Sequence, residues 1–201
     1  MNQTFALFGF SATLLEIVSF VLAVLTVWLN IRQRHWAWLF AILSSATYAA
    51  VFVQARLYGD AGLQGVFIAV SLWGWYQWLY GGSGHAGVAI STLGPRGRLL
   101  ALLAWLAGFV LLSAFLRRYT DTDVPYIDGF LTAGSLLGQF LLSRKKLENW
   151  HVWIVVDVLY VGLYLHKNLM LTALLYGLFV VLAMAGLRAW RKAGQPAPLP
   201  A

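Results

Sequence analysis

The sequence predicts an all-α membrane protein with seven transmembrane helices, set out in a 3+1+3 arrangement of two parallel three-helix repeats. Three observations predict it. The 201 residues are 61% hydrophobic and only 10% charged, with a mean hydropathy of +0.74; a soluble domain holds about 45–50% apolar and about 25% charged residues. Seven stretches are long and apolar enough to cross a bilayer, which takes roughly 20 residues of helix. Residues of the first half recur, without gaps, 112 positions later.

The spans fall at 10–29, 37–54, 61–80, 99–116, 127–143, 149–165 and 169–187. None of the five prolines lies inside one, and Pro125 stands just before the fifth, where proline starts helices. Most connections are short, as between antiparallel neighbours. The longest, Gly81–Arg98, reads as a flexible polar loop. The divisions that follow are a first bundle over 10–80, a loop and linker helix over 81–116, a second bundle over 127–190 and a disordered tail over 191–201. Ten basic residues fall on one side: Arg32, Arg34, Arg96, Arg98, Arg144, Lys145, Lys146, Arg188, Arg191 and Lys192. Four fall on the other: Arg56, Arg117, Arg118 and Lys167. Short loops rich in Lys and Arg stay in the cytoplasm, so the N-terminus is predicted outside and the C-terminus inside. The net charge of +7 is thereby accounted for without nucleic acid. The absence of cysteine excludes disulfides and thiolate chemistry, and the N-terminal residues lack the basic region of a cleavable signal peptide.

At the offset of 112, Arg32 falls on Arg144, Trp38 on Trp150, Tyr48 on Tyr160, Gly74 on Gly186, Trp78 on Trp190 and Glu16 on Asp128. Apolar coincidences are cheap in such a composition; Trp, Gly and Tyr matches in one frame are not. The shift carries the first three spans onto the last three, a step of four spans that preserves direction. The repeats are therefore parallel with the fourth span as linker, a transporter plan whose site lies near the midplane between bundles.

Asp157 is the sharpest candidate for that site, because a carboxylate near the middle of a span costs at least about 2.5–3.5 kcal/mol. A cavity, a neighbouring helix or a cationic ligand must offset it. Trp150, Trp153, Asp157, Tyr160 and Tyr164 form one helical stripe. Trp153, one turn before the acid, makes with it a seat for a flat cation. Trp150 suits either that site or an interfacial aromatic belt. Asn149 suits a helix cap better than a ligand contact. Gln64, Ser71, Tyr48, Tyr160 and Tyr176 are candidates for oriented polar contacts in an aromatic pocket. Trp153 and Asp157 face Ala41 and Ser45 in the other repeat, so they are special to the second half, whereas Trp150 and Tyr160 are shared. Glu16 and Asp128 suit structural pairing or the attraction of cations at the outer mouth. No hydrolase, P-loop or dinucleotide motif is present, and His35, His85, His151 and His166 are not spaced as metal ligands. No enzyme activity, cofactor or metal is expected.

Four motifs, LYGDAGLQ (57–64), WGWYQW (73–78), RKKLENWHVW (144–153) and the closing G-x-x-x-W (186–190), together resemble the PnuC family of vitamin transporters over essentially the whole chain. The resemblance implies a fold like the sugar-transporting SWEET proteins and uptake of nicotinamide riboside across the bacterial inner membrane. The implied mechanism is facilitated diffusion, with trapping by phosphorylation inside the cell. It implies Trp153 and Asp157 as partners of the pyridinium ring, with Gln64 and tyrosines at the polar edges. Other members carry Asn at the positions of Ser71 and Asp157, and related branches carry thiamine or riboflavin. Thiamine, also a flat cation, is the alternative substrate, and neutral riboflavin fits a buried acid less well. A non-transporting sensor of the same fold is the other alternative. The implied partners are the vitamin, the lipid bilayer and a possible second copy of the chain.

Overall fold

The protein is seen in a computed structural model that describes residues 4–7, 10–54, 58–166 and 170–194. Arg56, Leu57, Lys167, Leu169, the segment 195–201 and the side chains of Glu16 and Asp60 lie outside the described residues. Among the described residues seven α-helices follow a short hairpin: α1 (Leu14–Ile31), α2 (Ala37–Gln54), α3 (Tyr58–Tyr80), α4 (Pro95–Tyr119), α5 (Pro125–Ser143), α6 (Glu148–His166) and α7 (Met170–Ala193). Every predicted span has its helix. Among the described residues, Pro95–Tyr119 and Thr172–Ala193 are by themselves long and apolar enough to cross a membrane, and Ile17–Ile31 and Ala37–Ala50 are shorter apolar stretches.

Three boundaries differ from the expectation. Strands β1 (Thr4–Leu7) and β2 (Phe10–Thr13) pair antiparallel, Thr4 opposite Thr13, so helix begins at Leu14 and not at residue 10. Hydropathy sums apolarity without asking where backbone hydrogen bonds go, and the hairpin satisfies those of 10–13 outside the helix. Helix α7 continues to Ala193, so Arg191 and Lys192 belong to its last turn and not to a tail, where cations suit the negative end of the helix dipole. The segment after Gly81 is not a free loop. Val88 N–H donates to the Gln77 carbonyl; Ser91 N–H donates to Lys145 and its carbonyl accepts from Leu147 N–H. Leu93 N–H meets both carboxylate oxygens of Glu148 at 3.0 Å, and Arg98 reaches the same carboxylate at 3.3 Å. These bonds make a strap across one end of the molecule.

Neighbour packing sets the architecture. In the order α1–α2–α3–α5–α6–α7 each helix touches the next, and α7 returns to α1, closing a ring of six. Helix α4 lies outside against α5 and turns Leu99, Leu100, Val110 and Leu111 outward.

The 112-residue offset reappears in the backbone. Helix α1 ends with Arg34 N–H bonded to Leu29 and Gln33 N–H to Asn30; α5 ends with Lys146 bonded to Leu141 and Lys145 to Leu142. This is the Schellman pattern. Its left-handed residue is Gln33 (φ 53°) in one turn and Lys145 (φ 46°) in the other. The bonds that start the next helix, Ala37 to Arg34 and Trp38 to His35, recur as Asn149 to Lys146 and Trp150 to Leu147.

Candidate functional site

Four tryptophans seal the ring at its basic end. Trp38 on α2 lies over Gly74 on α3, and Trp150 on α6 lies over Gly186 on α7. A Cβ at either glycine would fall 2.3 or 2.5 Å from the indole. Trp78 meets Trp38 edge-on at 5.5 Å, Trp190 meets Trp150 edge-on at 5.4 Å, and Trp78 and Trp190 stand 6.1 Å apart where the two halves meet. Two reciprocal hydrogen bonds cross between halves: Trp78 Nε1 donates to the Leu142 carbonyl at 3.1 Å, and Trp190 Nε1 to the Asn30 carbonyl at 3.0 Å. Lys145 Nζ lies 4.7 Å over the Trp78 ring, and burial lowers its pKa from the ordinary lysine value. Trp150 therefore belongs to this seal, where its repeat partner Trp38 has the same role. Asn149 is wholly buried beside it, donating from Nδ2 to the Lys146 carbonyl at 2.6 Å while its Oδ1 has no hydrogen-bond partner.

Beyond the seal, away from the basic end, the second half builds a polar and aromatic wall. Helix α5 supplies small residues on one face. Gly134 lies under Trp105, and Gly138 lies under Trp153, where an added Cβ would stand 3.0 Å from the ring. Trp153 thus packs on α5, one turn from Asp157, which is 4% exposed. Among the described residues no Lys, Arg or His forms an ion pair with Asp157. Its neighbours are phenols: Tyr160 and Tyr176 lie near enough for electrostatic interaction with its carboxyl group. Tyr160 and Tyr176 have ring centroids 4.5 Å apart, Tyr164 joins them at 5.2 Å from Tyr176, and Tyr48 on α2 lies within electrostatic reach of Tyr176. Ser135 on α5 faces the Tyr160 hydroxyl.

Ser71, 1% exposed, accepts a hydrogen bond from Gln139 Nε2 at 3.2 Å, across the α3–α5 contact. The corresponding α1–α7 contact has Val27 near Ala183, so the bridge is polar on one side of the ring only. Gln139 and Ser135 were missed in the sequence, although an amide inside an apolar span was signal enough. Gln64 shares the Ser71 face of α3, two turns nearer the other end, and is half-buried. Asp128 accepts a hydrogen bond from the Thr122 hydroxyl at the far end, a partner in the segment before α5 and not, as expected, on the helix that follows. The structure thus gathers Trp153, Asp157, Tyr160, Tyr176 and Tyr48, brings Ser71 to Gln139, and sets Trp150 and Asn149 in the seal. No three His, Asp or Glu among the described residues group as metal ligands.

An array of half-buried phenols and an indole around a buried carboxylate has no nucleophile–base pair and suits recognition. Residues 13–192 match the family described as nicotinamide mononucleotide transporter. The chain belongs to this family, that of the PnuC transporters. A crystal structure of the vitamin B3 transporter PnuC superposes with a TM-score of 0.71 at 25% identity, covering 89% of this chain and 80% of that one. The riboflavin/roseoflavin transporter RibM of Streptomyces davaonensis is 28% identical over 194 residues, 94% of this chain and 90% of RibM. The nicotinamide riboside transporter PnuC of Escherichia coli is 24% identical over 211 aligned positions, 90% of this chain and 87% of that protein. As a PnuC-family member the chain is a vitamin transporter and not an enzyme.

Proposed function

We propose that this PnuC-family protein takes up nicotinamide riboside across the bacterial inner membrane by facilitated diffusion, with trapping by phosphorylation inside the cell. The observation that carries the reading is the buried Asp157, with no basic partner among the described residues, one turn from a Trp153 ring packed on Gly138. A pyridinium cation offsets the cost of that carboxylate and stacks on that indole. Gln139, Ser71 and the tyrosines then suit the amide and ribose hydroxyls, with Gln64 on the approach. Two parallel three-helix repeats joined by α4, the SWEET plan, describe the ring; the matched turns and indole bonds support that plan. The basic end is taken as cytoplasmic, which makes the tryptophan seal the inner gate.

A second reading, riboflavin, is favoured by the 28% identity to RibM. Riboflavin stacks equally well on Trp153 but leaves the carboxylate without a counter-charge. Titration of the purified protein with nicotinamide riboside, riboflavin and thiamine, read by tryptophan fluorescence, separates the readings, and uptake into proteoliposomes follows for whichever binds. Tight binding of nicotinamide riboside with saturable uptake is expected. Saturable uptake of riboflavin alone would replace the first reading with the second, and binding without uptake would indicate a sensor.

A further inference from the structure

A cleft of about 520 Å³ lies outside the ring, between α4, α5 and α6 at the basic end. That size is within the usual range for ligand sites, about 300–1,000 Å³. Its deeper walls are apolar: Ala101, Leu102 and Trp105 from α4, Leu137 and Leu141 from α5, and Val152 from α6. Its rim is polar and cationic. Arg98 enters from the first turn of α4, and Arg191 from the last turn of α7 lies 3.2 Å from His151 Nε2. Glu148, the one acid on this rim, is already engaged by Leu93 N–H and by Arg98. The wall formed by α4 is continuous with its outward apolar surface: Leu102 is half-exposed, as are Leu99 and Leu103.

A polar solute has no use for such apolar walls, and an uncharged lipid has no use for the two guanidinium groups. Basic pockets between transmembrane helices take anionic lipid headgroups, and guanidinium groups hold phosphate by bidentate bonds. We propose that this cleft binds an anionic phospholipid from the adjoining leaflet. Its phosphate sits between Arg98 and Arg191 beside His151, and an acyl chain runs down over Ala101 and Trp105. The bound lipid clips the linker helix to α6 and α7 beside the strap, and the site is separate from the vitamin site.

Native mass spectrometry of the purified protein with equal amounts of phosphatidylglycerol and phosphatidylcholine tests it. At least fivefold preferential retention of phosphatidylglycerol is expected. Arg98→Gln with Arg191→Gln should remove the preference. Ala101→Trp, which keeps the charge but fills the slot, should lower retention by a similar factor. Arg117→Gln with Arg118→Gln, an equal loss of charge at the other end, should leave it unchanged. The proposal is overturned if wild type shows no preference, if the Arg98/Arg191 variant or Ala101→Trp retains the lipid as wild type does, or if the Arg117/Arg118 variant loses it equally. Glycerol phosphate binding as well as the lipid would mark a free-phosphate site and overturn it too.

Discussion

Asp157 gathers most of the chemical meaning in single side chains. Its place in an apolar span was legible because charge there is costly; its neighbourhood was legible only in part, since Tyr160 and Tyr176 were foreseen whereas Gly138 and Ser135, which come from α5, were not. In the structure two phenols lie within electrostatic reach of the acid, and among the described residues no cation pairs with it. Asp157→Asn keeps the shape and removes the charge. For nicotinamide riboside the expected loss is at least tenfold in affinity, about 1.4 kcal/mol, while riboflavin binding should hardly move; fluorescence titration of the folded variant measures both. Equal effects on the two vitamins would show that shape, not charge, is at stake. Gln139 teaches the complementary point. Hydropathy averaged it away with its leucines, yet a buried amide must find a partner, and Ser71 is that partner.

Helices and turns were the most legible level, because seven apolar stretches leave little choice of fold. The strap was least legible. Its composition, rich in glycine and serine, reads as flexible, and its order comes from Lys145, Lys146 and Glu148, more than fifty residues away in sequence. The repeat alignment fared better, since it matched Gly74 and Gly186 before their neighbours were known. Each is small because an indole occupies the space of its missing side chain. Gly74→Ala and Gly186→Ala each overpack a rigid ring, which costs about 1–3 kcal/mol. By contrast, a Cβ at Gly162 or Gly177 meets nothing within 4 Å, and alanine there should be neutral or slightly stabilising in a helix. Thermal unfolding in detergent would rank the four. Similar losses at all four would mean that helix flexibility, not the indole contact, explains the glycines.

For the molecule as a whole, six helices close on themselves and two contacts, α1 with α7 and α3 with α5, join the halves. The inner gate proposed above would open by parting those contacts at the basic end, where the two indole bonds fasten them. Trp78→Phe with Trp190→Phe deletes both donors and keeps most of the ring area. A net hydrogen bond contributes about 0.5–1.5 kcal/mol, so the double variant should favour opening at this end by about 1–3 kcal/mol. Cysteine placed at Ala183, buried at the α1–α7 side of the seal, reports it cleanly because the chain has no native cysteine. Labelling from the basic side should quicken several-fold in the double variant. Unchanged labelling would assign the gate elsewhere.

The two fastenings share one further property. Each donor is a side chain, but each acceptor is a main-chain carbonyl, at Asn30 and at Leu142. An amide-bearing residue and an aliphatic one therefore serve the same purpose, because only the helix end is being read. The donor must be an indole, whereas another side chain at either acceptor position would leave the bond in place. Under the two-repeat plan proposed above, either half can thus vary its ligand wall without losing its hold on the other.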